Sequence, residues 1–330
     1  MEIVFSEGVA IKDASSVGEV RRAAAAAGAK LKLDETRAGE LAILTTEVAR
    51  NVLIHGGGGQ VIVSGIASQG GPVARILALD TGGGIANLAE AMKDGFSTAG
   101  TMGAGLGAMK RMAKRFEVFT GRGGTMVLLE VGEGSVTEHL TFAGVTLPYP
   151  GERVCGDGWY CEHTPARTVA VLADGLGHGL GAAEAAQEAV ETVRQRISKS
   201  PGEILSYMHD ALKKTRGAVA AVVEVCPKEG KLTYAGIGNI AASVVSKGLS
   251  RSLVSHNGTL GVTMSRVQEF HTEWKPDSVF VMHSDGLQSK WDLLAYPGLL
   301  LKHPALICGA LIRDFRRQRD DAGVVVLKAA

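Results

Sequence analysis

The sequence predicts an α/β protein of two domains, and three observations predict it. The chain has 330 residues, long for one hydrophobic core and comfortable for two. Strand-like apolar runs bracket helical patterns instead of alternating with them regularly, which points to layered packing. A short polar break, "GEGS" at 132–135, separates two such sets. The expected domains are therefore 1–133 and 134–330.

Composition narrows the class. A hydrophobic content of 45% and a charged content of 21% describe a soluble chain with a substantial interior. Lysine plus arginine is 35 against 34 acids, so no overall field recruits nucleic acid or an anionic membrane. Cys155, Cys161, Cys226 and Cys308 lack C-x-x-C spacing and secreted-domain density, so reduced thiols are expected. The start "MEIVFSEGVAIKD" shows no basic region followed by an apolar stretch, and no apolar run reaches membrane-spanning length. The expected location is the cytoplasm, with neither nucleic acid nor membrane as a partner.

In chain order, residues 2–11 alternate as a strand. "SSVGEVRRAAAAAGAKLKL" reads as a helix with a serine start. "ETRAGELAILTTEVARNVLIHG" gives a second helix, with Leu41, Leu44, Val48 and Val52 at helical spacing and Gly56 as its stop. "QVIVSGIA" and "VARILALD" are strands, the latter ending in Asp80. A glycine-rich segment then leads to a helix near 105–115 and a hairpin, "FEVFTGRGGTMVLLEV", with glycine at its turn. The second half offers strands in "VTEHLTFAGVTL", "TVAVLAD", "AVAAVVEV", "KLTYAGIG", "SVFVMHSD" and "AGVVVLKA". Helices are expected at 179–197, at 202–215 and within 304–319.

The segment "DGFSTAGTMGAGLGAMKRM" is no dinucleotide fingerprint, because no strand leads directly into it, and no G-x-x-x-x-G-K-[ST] exists in the chain. "LDTGGG" carries an aspartic-protease triplet, but that chemistry needs two carboxylates sharing a proton and the triplet occurs once. Glu47 and Asn51, four apart, share one helix face. The acid can polarise a hydroxyl and the amide oxygen can coordinate magnesium. Alone, the pair would read as a solvated face; Asp80 and the glycine loop change that balance. Asp80 at its strand end can accept a hydrogen bond from an exocyclic amine. Gly82 to Gly84 let a flat base approach the backbone, and the loop can fold over a triphosphate. His55 reads as a helix-end residue, and Lys110 and Arg111 as a solvated face.

Taken together, "EVARN", "LDTGGGI" and the glycine segment resemble the GHKL (Bergerat-fold) ATPases, and most the RsbT-type serine-protein kinases of bacterial partner-switching. The resemblance covers about residues 1–131. It implies an α/β sandwich, ATP with Mg²⁺, Glu47 as catalytic base and Asn51 as the magnesium ligand. It also implies Asp80 as the adenine contact, with Gly82, Gly84, Gly103, Gly105 and Gly107 as nucleotide-binding turns and lid.

In the second half, "TVAVLADGLGHG" ends an apolar strand in Asp174 and "SVFVMHSDGL" does the same with Asp285. "CGDGW" offers Asp157, and "RDDAGVVVL" sets Asp320 and Asp321 before the last strand. One Asp-Gly pair is usually only a turn, but core strands converge, so several acids at their ends can meet. Clustered carboxylates repel unless a proton or a hard divalent ion neutralises them. Two such ions can ready a water and clamp a phosphoryl oxygen.

These motifs, with "RGAVAAVV" and "GIGNI" in order between them, resemble the PPM family of metal-dependent serine/threonine phosphatases, in its SpoIIE/RsbX branch, over about 140–330. The resemblance implies an α-β-β-α sandwich and two Mn²⁺ or Mg²⁺ ions. Asp157 and Asp174 would bridge the ions, Gly175 would lend its carbonyl, and Asp285 and Asp320 would complete the second ion's shell, with only one of Asp320 and Asp321 ligating. Water would attack phosphoserine or phosphothreonine with no covalent intermediate. His178 reads equally as a loop-ordering residue or a plain loop histidine, and Asn239 as site-facing or a turn residue.

The implied protein is a bacterial partner-switching regulator with an ATP-binding kinase module and an opposing phosphatase. Its implied partner is a STAS-domain antagonist or a related phosphoprotein, with a sigma-factor regulator as a further candidate and pairing into a homodimer as in related ATPase modules. The alternatives are a phosphatase gated by a non-catalytic nucleotide sensor and an anti-sigma-type binding protein.

Overall fold

Two aspartates start the two long helices of the amino-terminal half. The computed structural model describes residues 2–67, 70–93, 105–121, 123–134, 140–264 and 266–329. After β1 (Glu2–Ile11), Asp13 caps α1 (Ala14–Leu31) in a reciprocal box with Ser16, so the cap falls on the acid ahead of the expected serine. Asp34 caps α2 (Glu35–Ile54) by accepting from the Arg37 N–H. β2 (Gly59–Ala67) and β3 (Val73–Asp80) follow, then the short α3 (Leu88–Ala91) and α4 (Leu106–Met112). The hairpin of β4 (Arg115–Gly121) and β5 (Gly124–Gly132) ends the half.

These strands lie in the order β1-β2-β3-β5-β4. One sheet face, carrying Val61, Val63, Ile76, Ala78, Val127 and Leu129, packs under Val20, Ala27, Leu41, Leu44 and Val48 of the two long helices. The period-2 alternation of a strand puts Ile62, Leu77, Leu79, Met126 and Leu128 on the other face, and they too are buried.

The carboxy-terminal half opens with β6 (Leu140–Leu147), β7 (Asp157–His163) and β8 (Thr168–Gly175). Two helices follow, α5 (Leu180–Gln195) and α6 (Pro201–Ala211), the second started by a Ser200–Glu203 capping box. Then come β9 (Ala218–Cys226), β10 (Lys231–Ile237), β11 (Ala241–Ser246), β12 (Leu249–Leu253), β13 (Gly258–Thr259), β14 (Thr263–Met264), β15 (Phe270–Glu273) and β16 (Val279–His283). The last elements are α7 (Pro304–Phe315) and β17 (Ala322–Ala329).

Strands β15-β10-β9-β8-β7 form one layer and β12-β11-β16-β17-β6 a second. The layers meet closely: a Cβ at Gly144 would strike the Trp159 ring at 2.3 Å. Helices α5 and α6 cover the outside of the first layer, burying Ala185, Ala189, Ile204 and Met208 against Val169, Val171 and Val222. Strands β7 and β11 to β15 go beyond those the sequence predicts, because their apolar stretches are short or interrupted by polar residues.

By contacts the chain divides into two units, residues 3–135 with 301–313, and residues 136–300 with 314–330 and the first two residues. The amino-terminal unit thus recruits α7 from far along the chain. Every residue from Pro304 to Ile312 is buried, as an all-apolar helix requires. Gly309 brings it against Leu77 and Leu79 of β3, where a Cβ would lie 2.8 Å from Leu79 Cδ2. The Arg313 guanidinium donates to the Asp80 carbonyl at 3.1 Å.

Candidate functional site

The amino-terminal unit holds a cleft of about 850 Å³ between α2, the β3 end and the start of α4. Glu47 and Asn51 line it one helical turn apart, with Asp80, Gly84, Gly105 and Thr125. Asp80 is buried, and its Oδ1 accepts from the backbone N–H of Gly82 and of Thr125, both at 2.9 Å. Among the described residues Oδ2 takes no hydrogen bond, which leaves it as a spare acceptor at the cleft wall. Arg50 lies 3.4 Å from Glu47 Oε1.

The glycines divide by role. Gly84 has φ of 76° and is pressed on the Gly121 carbonyl, a conformation that excludes a side chain. Gly105 is the N-cap of α4 and lines the cleft. Gly82 sits under the Asp80 carboxylate, packed on Gly56, and Gly107 is buried within α4; neither is a lining residue. Gly103 lies outside the described residues. His55 ends α2 and borders the cleft.

The carboxylates of the other unit do converge. Asp157 begins β7, Asp174 nearly ends β8, and the two are direct partners in that antiparallel pair. Asp174, Asp285 and Asp320 line a pocket of about 480 Å³ with Asn239, Asn257 and Gly177. Asn239 donates to Asp285 Oδ2 at 2.7 Å, so it faces the pocket. Asp157 lies deeper: Oδ2 accepts from the Ser284 hydroxyl at 2.6 Å, while Oδ1 is buried with no hydrogen-bond partner.

The charges act on one another. Burial, then the Asp174 charge, holds the Asp157 carboxyl well above the ordinary range. Burial, then Asp285 and Asp320, pushes Asp174 up to about 8. Asp285 is raised by burial and by Asp320. Among the described residues no three His, Cys, Asp or Glu side chains are arranged to hold an ion by themselves. The donor set nevertheless fits a hard divalent cation: an orphaned buried carboxylate oxygen, mutual repulsion, and room for the several waters that Mg²⁺ keeps.

Asp320 and Asp321 separate. Asp320 borders the pocket, whereas Asp321 is buried: its Oδ1 accepts from the Tyr149 N–H at 2.8 Å, and its Oδ2 has no hydrogen-bond partner among the described residues. Gly175 donates its N–H to the Gly156 carbonyl and lies hard against the Ala182 backbone, which fixes the turn after Asp174. His178 pairs with Glu152 at 3.0 Å and stacks on Tyr149, which orders its loop. Sequence reasoning missed Ser284 and Thr125. Ser284 stands beside Asp285 in "HSDG", the signal that could have found it; Thr125 carried none.

Comparison with known proteins places both halves. The sequence model of Stage II sporulation protein E (SpoIIE) matches residues 164–330, half of the chain, and that of a histidine kinase-like ATPase domain matches 11–131. Phosphoserine phosphatase RsbX of Bacillus subtilis is 26% identical over 151 residues, 46% of this chain and 76% of RsbX. Serine/threonine-protein kinase RsbT of the same organism is 40% identical over 73 residues, 22% of this chain and 55% of RsbT. A crystal structure of RsbX in complex with magnesium superposes with a TM-score of 0.54 at 20% identity, covering 66% of this chain and all of that one; it shares the fold.

Proposed function

The chain belongs to the SpoIIE family of PPM-type serine/threonine phosphatases and carries an RsbT-like ATPase domain; from that premise we propose that it hydrolyses phosphoserine or phosphothreonine on a partner-switching protein. The observation that carries this reading is the buried Asp157–Asp174 pair, completed by Asp285 and Asp320. Those four carboxylates, with the Gly175 carbonyl, would hold two Mn²⁺ or Mg²⁺ ions. When bound, such ions supply Lewis acidity and lower the pKa of water. The protein's part is to fix the acids: Ser284 orients Asp157, Asn239 orients Asp285, and β8 with the tight Gly175 turn sets Asp174 at the pocket wall.

The amino-terminal cleft is proposed to bind ATP with Mg²⁺. Asp80 Oδ2 would accept from the adenine amine, Asn51 would ligate the ion, and Glu47 would take the proton from a partner's serine hydroxyl. Gly84 and Gly105 would let the nucleotide approach, Gly82 would hold Asp80, and Gly103 and Gly107 would belong to the lid. The proposed substrate is a STAS-domain antagonist, phosphorylated by one domain and dephosphorylated by the other, at expected boundaries of 1–133 and 134–330. Incubation with ATP and a panel of STAS proteins, with and without Mn²⁺, tests both halves. Transfer insensitive to Glu47→Ala would remove the kinase assignment, and hydrolysis insensitive to Asp174→Ala the phosphatase one.

One observation favours a second reading, in which the nucleotide sets the phosphatase rate. Residues 301–313 belong to the ATPase unit, and Arg313 touches the Asp80 carbonyl, yet this segment lies in the chain between Asp285 and Asp320. Phosphatase rates with ATP, with ADP and with neither distinguish gating from independent action.

A further inference from the structure

Arg216 lies two residues before the start of β9 at Ala218, and no part of the proposed mechanism uses it. Its guanidinium lies over the loop that follows Asp174. A Cβ at Gly181 would strike its Nε at 2.5 Å, and one at Gly177 would meet Nη1 at 3.5 Å. Gly177 is itself a wall of the carboxylate pocket. Two glycines therefore leave the space this guanidinium fills. Among the described residues it has neither an ion-pair nor a hydrogen-bond partner, and no acid of the pocket is paired to it. An arginine held beside a reaction pocket with its five donors unused is suited to an oxyanion that can accept two hydrogen bonds from its planar fork.

The surface around it is apolar where an exposed loop is usually polar. Leu176 is 41% exposed, Leu180 72% and Val262 60%. They are neighbours through Arg216 and its flanks. The Leu176 N–H donates to the Gly217 carbonyl at 3.0 Å, and a Cβ at Gly217 would meet Val262 Cγ2 at 3.1 Å. Leu180 adjoins Gly181, on which the guanidinium rests. One cation on a lip that also exposes three aliphatic side chains, beside an acidic pocket, is an interaction surface with a chemistry of its own.

We propose that this lip docks the phosphoserine-bearing segment of the protein substrate, with Arg216 gripping the phosphate and Leu176, Leu180 and Val262 receiving apolar side chains that flank it. The proposal rests on the phosphatase reading and names what that site selects: a phosphate in an apolar sequence context, on a segment that lies across the pocket mouth. The guanidinium is placed to hold the phosphate's outer oxygens while the carboxylate pocket faces the inner ones. Charge complementarity selects the phosphorylated form over its product, and the exposed aliphatic side chains select protein over small phosphate esters.

The test uses the full chain loaded with Mn²⁺ and three substrates: p-nitrophenyl phosphate, a phosphoserine peptide with leucine two residues to either side, and the same peptide with serine in place of those leucines. Arg216→Ala is expected to raise KM about tenfold on all three, with kcat within about threefold, and to weaken binding of inorganic phosphate by a similar factor. Arg216→Lys, which keeps the charge without the fork, should recover part of the loss. Leu180→Ser with Val262→Ser is expected to abolish the wild-type preference for the leucine peptide. An unchanged KM in Arg216→Ala, a parallel loss of Mn²⁺ affinity in that variant, or an intact leucine preference in the double variant would each overturn the proposal. Should the wild type hydrolyse none of the three, the phosphatase reading fails, and the phosphate titration decides alone: binding lost with Arg216 supports the lip, equal binding removes it.

Discussion

Asp157 and Asp174 stand opposite one another in the β7–β8 pair, two carboxylates brought to the same side of a sheet at its end. Directly opposed residues place their Cβ atoms about 5 Å apart, and like charges there are destabilising. Both are shielded from water, so solvent screens the repulsion poorly. The fold tolerates this arrangement because a cation or a proton can relieve it.

Replacing one of the pair should therefore stabilise the metal-free protein. Asp174→Asn is expected to raise its melting temperature by several degrees at pH 8 while cutting hydrolysis about a hundredfold or more. Differential scanning calorimetry in chelator, set beside activity in Mn²⁺, checks both. A melting temperature that falls would show the acid to be structurally required.

The pH dependence has a definite sign. Asp174 is raised from 3.8 to about 8 by burial first and by Asp285 and Asp320 next. A raised carboxyl makes the folded state bind more protons than the unfolded one. Its favourable contribution is complete below pH 3.8 and is lost as pH climbs through about 8. Metal-free protein should accordingly melt at higher temperature at pH 6 than at pH 8.5, and saturating Mn²⁺ should flatten or reverse that slope.

Ser284 links two elements, donating to Asp157 Oδ2 and accepting from the Gly323 N–H at 2.9 Å. Ser284→Ala leaves both partners buried and unsatisfied, at a cost of about 2–4 kcal/mol. Mn²⁺ affinity should fall about tenfold by titration calorimetry. Ser284→Thr, which keeps the hydroxyl, should retain most of that affinity.

In the proposed nucleotide cleft, Glu47→Gln should abolish phosphotransfer while holding ATP affinity within about threefold, because the amide keeps the shape and loses the proposed base. Asp80→Asn still offers an oxygen to the Gly82 and Thr125 N–H groups. It turns the remaining acceptor into a donor, and ATP affinity should drop about tenfold or more. Fluorescent-nucleotide titration separates the two variants.

Residues 1–133 expressed without 301–313 should expose Leu77 and Leu79 and self-associate in light scattering, since the segment that covers them is absent. In the whole chain, Gly309→Val forces a side chain to within 2.8 Å of Leu79 and should cost about 1–3 kcal/mol of stability.

The site chemistry was largely written in local patterns. Asp80, Asp174 and Asp285 end or adjoin apolar strands and announce themselves by that position, and Glu47 and Asn51 share a helix face through spacing alone. The resemblance to two families followed from such runs, because a ligand at a strand end needs only a few neighbouring residues to define it.

Asp320 and Asp321 show where that ends. Successive residues entering a strand point to opposite sides, so at most one can face the pocket, and both read alike in the chain. The choice follows from β17 pairing with β6, with Ala322 opposite Leu147, and from the Tyr149 N–H that claims Asp321. Ser284 reaches Asp157 across 127 positions of sequence. The all-apolar 304–312 run declared itself buried without naming the sheet that buries it. Sequence alone determined which groups this protein has and what chemistry they favour. Tertiary structure decided which of them meet, because register and packing partners depend on segments that are far apart until the chain folds.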